Sequence, residues 1–131
     1  MFDLPVIVEV TVLTPLGEHS RKAVGLWDTG CSRTNIDKHF ADLLGMDYEL
    51  DGDEYLVTAQ QMNLEGQGVA RLHICGSNIT TPYFSVAVTD FDPYNKIKDK
   101  PDVLIGMDVI SQGRLTVDST SGETVLTFEL P

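Results

Sequence analysis

The chain has 131 residues, 42% of them apolar and 22% charged, so it can bury a core and wholesale disorder is excluded. Twenty acidic residues against nine basic ones leave a formal charge of −11. That excess argues against partners such as nucleic acid or an anionic membrane surface, because phosphate contacts need clustered Lys and Arg. The length predicts one domain over residues 1–131. No apolar run approaches the roughly 20 residues that span a bilayer, and Met1 to Pro5 carry neither a basic nor an apolar leader signal. Two cysteines, Cys31 and Cys75, are too few for a disulfide framework, so a cytoplasmic protein with reduced thiols is expected.

Leu4, Val6, Val8, Val10 and Val12 alternate with polar positions and predict a half-buried strand. The segment 14–19 reads as a turn, and Arg21 to Trp27 returns as a second strand. Ile36, Phe40, Leu43 and Leu44 recur at helical spacing, with Asn35 or Asp37 available to cap the start and Gly45 the end. Strands are expected at Tyr55 to Ala59, Gly68 to Cys75 and Tyr83 to Val88. The charged stretch Asp90 to Lys100 reads as a long exposed loop. Val103 to Ile105 form a short apolar strand ending at Gly106, and segments 115–117 and 126–130 flank a turn at 119–122 as a closing hairpin. Many short strands and few helices predict an all-β barrel or sandwich.

The sharpest motif is Asp28-Thr29-Gly30. A carboxylate directly after the apolar run Val24 to Trp27 stands where burial normally forbids a charge. Thr29 can bond to neighbouring backbone, and Gly30 lets the chain turn. Val103 to Gly106 repeat the device, an apolar strand breaking at a glycine with a helix signal after it. With Leu26-Trp-Asp-Thr-Gly-Cys-Ser32 and Val103-Leu-Ile-Gly-Met-Asp108, the chain resembles the retropepsin-like aspartic proteases over residues 4–130.

The resemblance implies a closed, single-lobe acid-protease-type barrel, all-β with one or two short helices. It also implies a homodimer in which each protomer supplies one catalytic Asp28, supported by Thr29 and Gly30, and no cofactor or metal. Substrate, a protein or peptide, would be met by Cys31, Ser32, Ile105, Gly106 and a flap around Thr58, Ala59, Gln60 and Gln61. Trp27 would pack beneath the catalytic turn. Three positions depart from the retroviral pattern: Cys31 replaces Ala or Ser, Met107 replaces a basic residue, and residues 59–63 lack glycine.

The implied chemistry needs two carboxylates close together, because two like charges at contact cannot both ionise and so share one proton. The ionised member activates a water, and the protonated one polarises the scissile carbonyl. One Asp28 per chain cannot do this alone, and Asp108 suits a helix N-cap better than an internal partner. Asp47 to Gly52 imitate a calcium loop, but Thr58 stands where its bidentate acid belongs, so they read as an acidic turn. His19, His39 and His73 lack zinc spacing, and no histidine adjoins Cys31 in sequence to make it a nucleophile. The rival readings are a binding module that keeps fold and dimer without cleaving peptides, and a calcium-dependent interaction domain on residues 47–52.

Overall fold

The computed structural model describes residues 7–15, 19–49, 63–120, 122 and 125–129. Nine strands and two short helices occur among them: β1 (Ile7–Leu13), β2 (Ser20–Trp27), β3 (Asn35–Asp37), α1 (Lys38–Leu44), β4 (Tyr48–Glu49), β5 (Asn63–Ile74), β6 (Phe84–Asp90), β7 (Val103–Ile105), α2 (Met107–Ile110), β8 (Arg114–Asp118) and β9 (Val125–Glu129).

Six of these strands close a barrel in the order β1-β2-β7-β3-β6-β5, with β5 returning to pair with β1. Closure depends on the length of β5. Its first half pairs with β6 and β4, and its last residues, Arg71 to Ile74, pair antiparallel with Val10 to Leu13. Alternation then sorts the side chains, as a period of two requires. Val10 and Val12 of β1, Ala23 and Trp27 of β2, and Leu72 and Ile74 of β5 all point into the core. Trp27 meets Phe128 of β9 with ring centroids 4.9 Å apart, so the β8–β9 hairpin covers the core beside the end of β2.

Two parallel pairings position the functional loop. Gly25, Leu26 and Trp27 of β2 pair in register with Val103, Leu104 and Ile105 of β7, so the two repeated apolar devices lie side by side. On its other edge β7 pairs antiparallel with β3. The chain therefore leaves β2, crosses the C-terminal end of β7 through residues 28–34, and descends as β3. Asp102 secures this arrangement from below. Its amide and carboxylate exchange 2.8 Å bonds with Val24, and its carbonyl accepts the Asp37 N–H at 2.8 Å.

The helical spacing misassigns Ile36. Ile36 is extended in β3, held between β6 and β7, because a three-residue strand with ladders on both edges satisfies its backbone better than a first helical turn would. Leu43 faces solvent, and Phe40, Ala41 and Leu44 form the buried stripe of α1. Gly45 ends the helix as expected, in the left-handed region at φ 79°. Asp37 occupies the N-cap position but makes no cap bond. Its carboxylate instead accepts the Phe91 N–H at 3.1 Å and pairs with Lys100 at 3.2 Å.

The charged stretch 90–100 also departs from expectation at its start. Phe91 and Asp92 are buried, Phe91 against Cys31 and Leu104, while Asp92 accepts the Lys96 and Ile97 N–H groups at 2.9 and 2.6 Å. Part of the acidic turn, Tyr48–Glu49, is a strand paired with Gly68 and Gln67. The strand expected at Tyr55 to Ala59 lies outside the described residues.

Candidate active site

Asp28 is the first residue beyond β2, and its amide donates to the Ile105 carbonyl at 2.9 Å, which continues the parallel ladder by one bond. The chain then turns. Cys31 N–H donates to the Asp28 carbonyl at 3.2 Å, and Gly30 N–H donates to Asp28 Oδ1 at 3.0 Å. The carboxylate is thus held by its own turn, partly exposed, with Thr29 and Gly30 exposed beside it. A fixed, partly exposed acceptor can act as a base toward a bound water.

The loop is held onto the end of β7. Met107 N–H donates to the Cys31 carbonyl at 2.7 Å and Asp108 N–H to the Ser32 carbonyl at 3.2 Å. Gly106 is required by this crossing. A Cβ there would lie 2.6 Å from the Arg33 carbonyl carbon and 2.9 Å from the Cys31 oxygen, closer than side chains approach backbone.

Asp108 does not cap α2, contrary to the sequence reading. The N-cap position belongs to Gly106, and Asp108 lies in the first turn. Its carboxylate accepts Thr34 N–H at 2.9 Å, Thr34 Oγ1–H at 2.7 Å and Val109 N–H at 2.9 Å, while Thr34 Oγ1 accepts Gly106 N–H at 3.2 Å. The residue is a strut between α2 and the crossing loop.

Cys31 is buried with Phe91 and Leu104 and receives an Asn35 Nδ2–H at 3.9 Å. Burial first, then the charge of Asp28 and a hydrogen bond to its carboxylate, with Asp108 adding, push the thiol up to about 11. It is therefore a neutral thiol behind the turn at physiological pH. Ser32 is exposed. Ile105, expected as a wall of the cleft, is fully buried in the core, and its contribution to the site is the carbonyl that receives Asp28. Thr58, Ala59, Gln60 and Gln61 lie outside the described residues.

Sequence reasoning missed Arg33 and Asn35. Arg33 Nη2 donates to Gln67 Oε1 at 2.7 Å and to Ser85 Oγ at 2.6 Å, tying the Asp28 loop to β5 and β6. Asn35 Nδ2 donates to the Arg33 carbonyl at 2.8 Å from inside the barrel wall. Their position just after the Asp-Thr-Gly turn was the available signal; their partners, 34 and 52 residues from Arg33, carried none. Among the described residues no group of three or more His, Cys, Asp or Glu could hold a metal ion, and no helix is long and apolar enough to cross a membrane.

No family model matches the chain, and no curated protein matches it. Similarity emerges among solved structures. The retroviral protease-like domain of Ddi1 from Leishmania major is 16% identical, with 98% of this chain and 97% of that one covered at a TM-score of 0.54. A retropepsin-like aspartic protease from Rickettsia conorii is also 16% identical, covering 86% of this chain and 77% of that one at a TM-score of 0.48. The first likeness runs over nearly the whole of both chains and establishes a single-lobe acid-protease-type fold.

Proposed function

We propose that this protein is an aspartic endopeptidase that works as a homodimer in the cytoplasm, with residues 1–131 as one catalytic domain and one Asp28 per protomer. The observation that carries the reading is the Asp28 turn. Its carboxylate is partly exposed, held by the Gly30 N–H, and supported by a loop that the end of β7 and the start of α2 tie down. The exposed tip, Thr29 and Gly30, leaves room for the same turn of a second copy across a two-fold axis. There the two carboxylates share one proton, one activates the attacking water, and the other polarises the peptide carbonyl. The fold likeness supports the same reading.

The test is cleavage of a peptide library by the purified protein and by Asp28→Asn. The amide fits the same space but cannot act as a base, so cleavage is expected to fall by about a hundredfold or more. Specific activity is expected to drop on dilution, and mixing in folded Asp28→Asn protein is expected to suppress the wild type beyond simple dilution. Full cleavage by folded Asp28→Asn refutes the mechanism. A second reading, a dimeric binding module, is favoured by Met107, which packs against the core where the retroviral pattern carries a charge. It expects peptide binding without turnover.

A further inference from the structure

We propose that Cys31 is a positioning residue for the reaction: its thiol donates to the Asp28 carboxylate and holds that group in place for the attacking water. Its role in catalysis rests on the endopeptidase reading. Cys31 closes the turn that Asp28 opens, with its N–H on the Asp28 carbonyl at 3.2 Å. The side chain is 7% exposed and packed with Phe91 and Leu104. The sulfur therefore stays behind the turn, where a side-chain hydrogen bond joins it to the carboxylate.

The direction of that bond follows from the neighbours. Asn35 Nδ2–H donates to Cys31 Sγ at 3.9 Å, so the sulfur is an acceptor toward the barrel wall. An ionised carboxylate can only accept, so the thiol proton lies between the sulfur and Asp28. Asn35 is fixed in this orientation. Its Nδ2 also donates to the Arg33 carbonyl at 2.8 Å, and its Oδ1 accepts the Thr89 hydroxyl at 3.4 Å. Asn35 and Thr89 are both buried. The donors run one way, from Thr89 to Asn35 to Cys31 to Asp28, and each polarises the next.

Asp108 of α2 is the competing acceptor, but its oxygens take the Thr34 and Val109 N–H groups and the Thr34 hydroxyl. It acts on the thiol through its charge. Leu26 of β2, Leu104 of β7 and Phe91 after β6 bring no titratable group to the sulfur. Burial, then Asp28, then Asp108 raise the thiol to about 11, so it keeps its proton and remains a donor wherever an aspartate pair works. The Gly30 N–H is a second donor, on Oδ1. Two donors from one turn orient the carboxylate more firmly than one.

The experiment records kcat/KM against pH for wild type, Cys31→Ala and Cys31→Ser, at protein concentrations where dilution no longer changes specific activity. A donor on a carboxylate favours its charged form, so the acid limb in Cys31→Ala is expected to move toward higher pH by about 0.5–1 unit. On that limb kcat/KM should fall about three- to tenfold. Cys31→Ser keeps a donor and should return the limb to the wild-type position or below it. A packing role would lower the rate at every pH and leave the limb in place. That result overturns the proposal, and so do equal limbs in the Ala and Ser variants. A second measurement needs no activity. With Cys75→Ser, Cys31 is the single thiol of the chain, and its S–H stretch reads the bond by infrared absorption. The band is expected at lower wavenumber than that of a free thiol, and it should rise in Asp28→Asn, whose amide is a weaker acceptor. A band at the free-thiol position with Asp28 intact overturns the proposal even if the Cys31 variants do not fold. A hydrogen-bonded band together with cleavage of no peptide overturns the endopeptidase reading, and the catalytic role of Cys31 falls with it.

Discussion

Asp108→Ala tests whether the strut between α2 and the crossing loop holds the site together. Three donors converge on this carboxylate, and they do not count equally. Val109 N–H also donates to the Gly106 carbonyl at 3.1 Å, so it keeps a partner. Thr34 is fully buried, and its N–H loses the bond to Asp108, at a cost of about 1–3 kcal/mol. The Thr34 hydroxyl loses a charge-assisted bond as well, worth about 1 kcal/mol more after it reorients. The expected loss is therefore about 2–4 kcal/mol. With a urea dependence of about 1–3 kcal/mol per molar, the midpoint should fall by about 1–2 M. Asp108→Asn keeps one acceptor oxygen but presents an amide to one donor, so it should fall between wild type and Asp108→Ala. A double-mutant cycle with Thr34→Val isolates the pair, with a coupling of about 1–2 kcal/mol expected. If Asp108→Ala unfolds within about 0.5 kcal/mol of wild type, the strut carries no weight and the reading of the loop is wrong.

Gly106→Ala should cost about 1–3 kcal/mol in the same assay, because the added methyl meets Arg33 and Cys31 backbone that cannot move as a side chain would; wild-type stability would show that the loop has slack. The Cys31 thiol, raised from 9.0 to about 11, contributes stability that is complete below pH 9 and lost as pH rises toward 11. Wild type should therefore lose about 1–2 kcal/mol more than Cys31→Ala between pH 8 and 10.5, and equal losses would refute it. Asp92 is held below its usual 3.8 by the Lys96 and Ile97 N–H groups, so its contribution is present above pH 4 and lost as the solution is acidified through the lowered value. Hydrogen exchange at those two amides should accelerate in Asp92→Ala at pH 6, and unchanged protection would contradict the assignment.

Local pattern carried the strands that run long enough to show a period. The alternation at Val8, Val10 and Val12 and the apolar run of β7 are both strands in the structure. What the chain could not display locally was partnership. Nothing near Leu26 indicates that Leu104 lies beside it in a parallel ladder, although the repeated apolar-glycine device hinted that the two segments were alike. Ile36 satisfies a helical spacing and a strand equally well, and only the arrival of β6 and β7 on both sides decides between them. The burial of Phe91 and Asp92 was hidden by the charges around them, since composition averages over a loop that has a wet end and a dry one. Asp108 looked like a cap because it stands near a helix start, but a donor pair 74 residues away claims its oxygens first.

These non-local ties bear on how the proposed dimer works. Each copy carries a formal charge of −11, so two copies repel, and physiological salt screens that repulsion only beyond about 8–10 Å. In the proposed dimer, association must then rest on short-range contacts, with the exposed tip of the Asp28 turn on the face proposed to meet the partner. A loose loop would spend part of the association energy on becoming ordered, and the two carboxylates would share a proton only in a fraction of the dimers. The ladder bond from Asp28 to Ile105, the bonds from Met107 and Asp108 to the loop carbonyls, and the Asp108–Thr34 strut remove that freedom before the partner arrives. It follows that variants which loosen the loop should lose activity first at low protein concentration. Raising the concentration should recover them in part, whereas Asp28→Asn cannot recover, because what it lacks is the base and not the order.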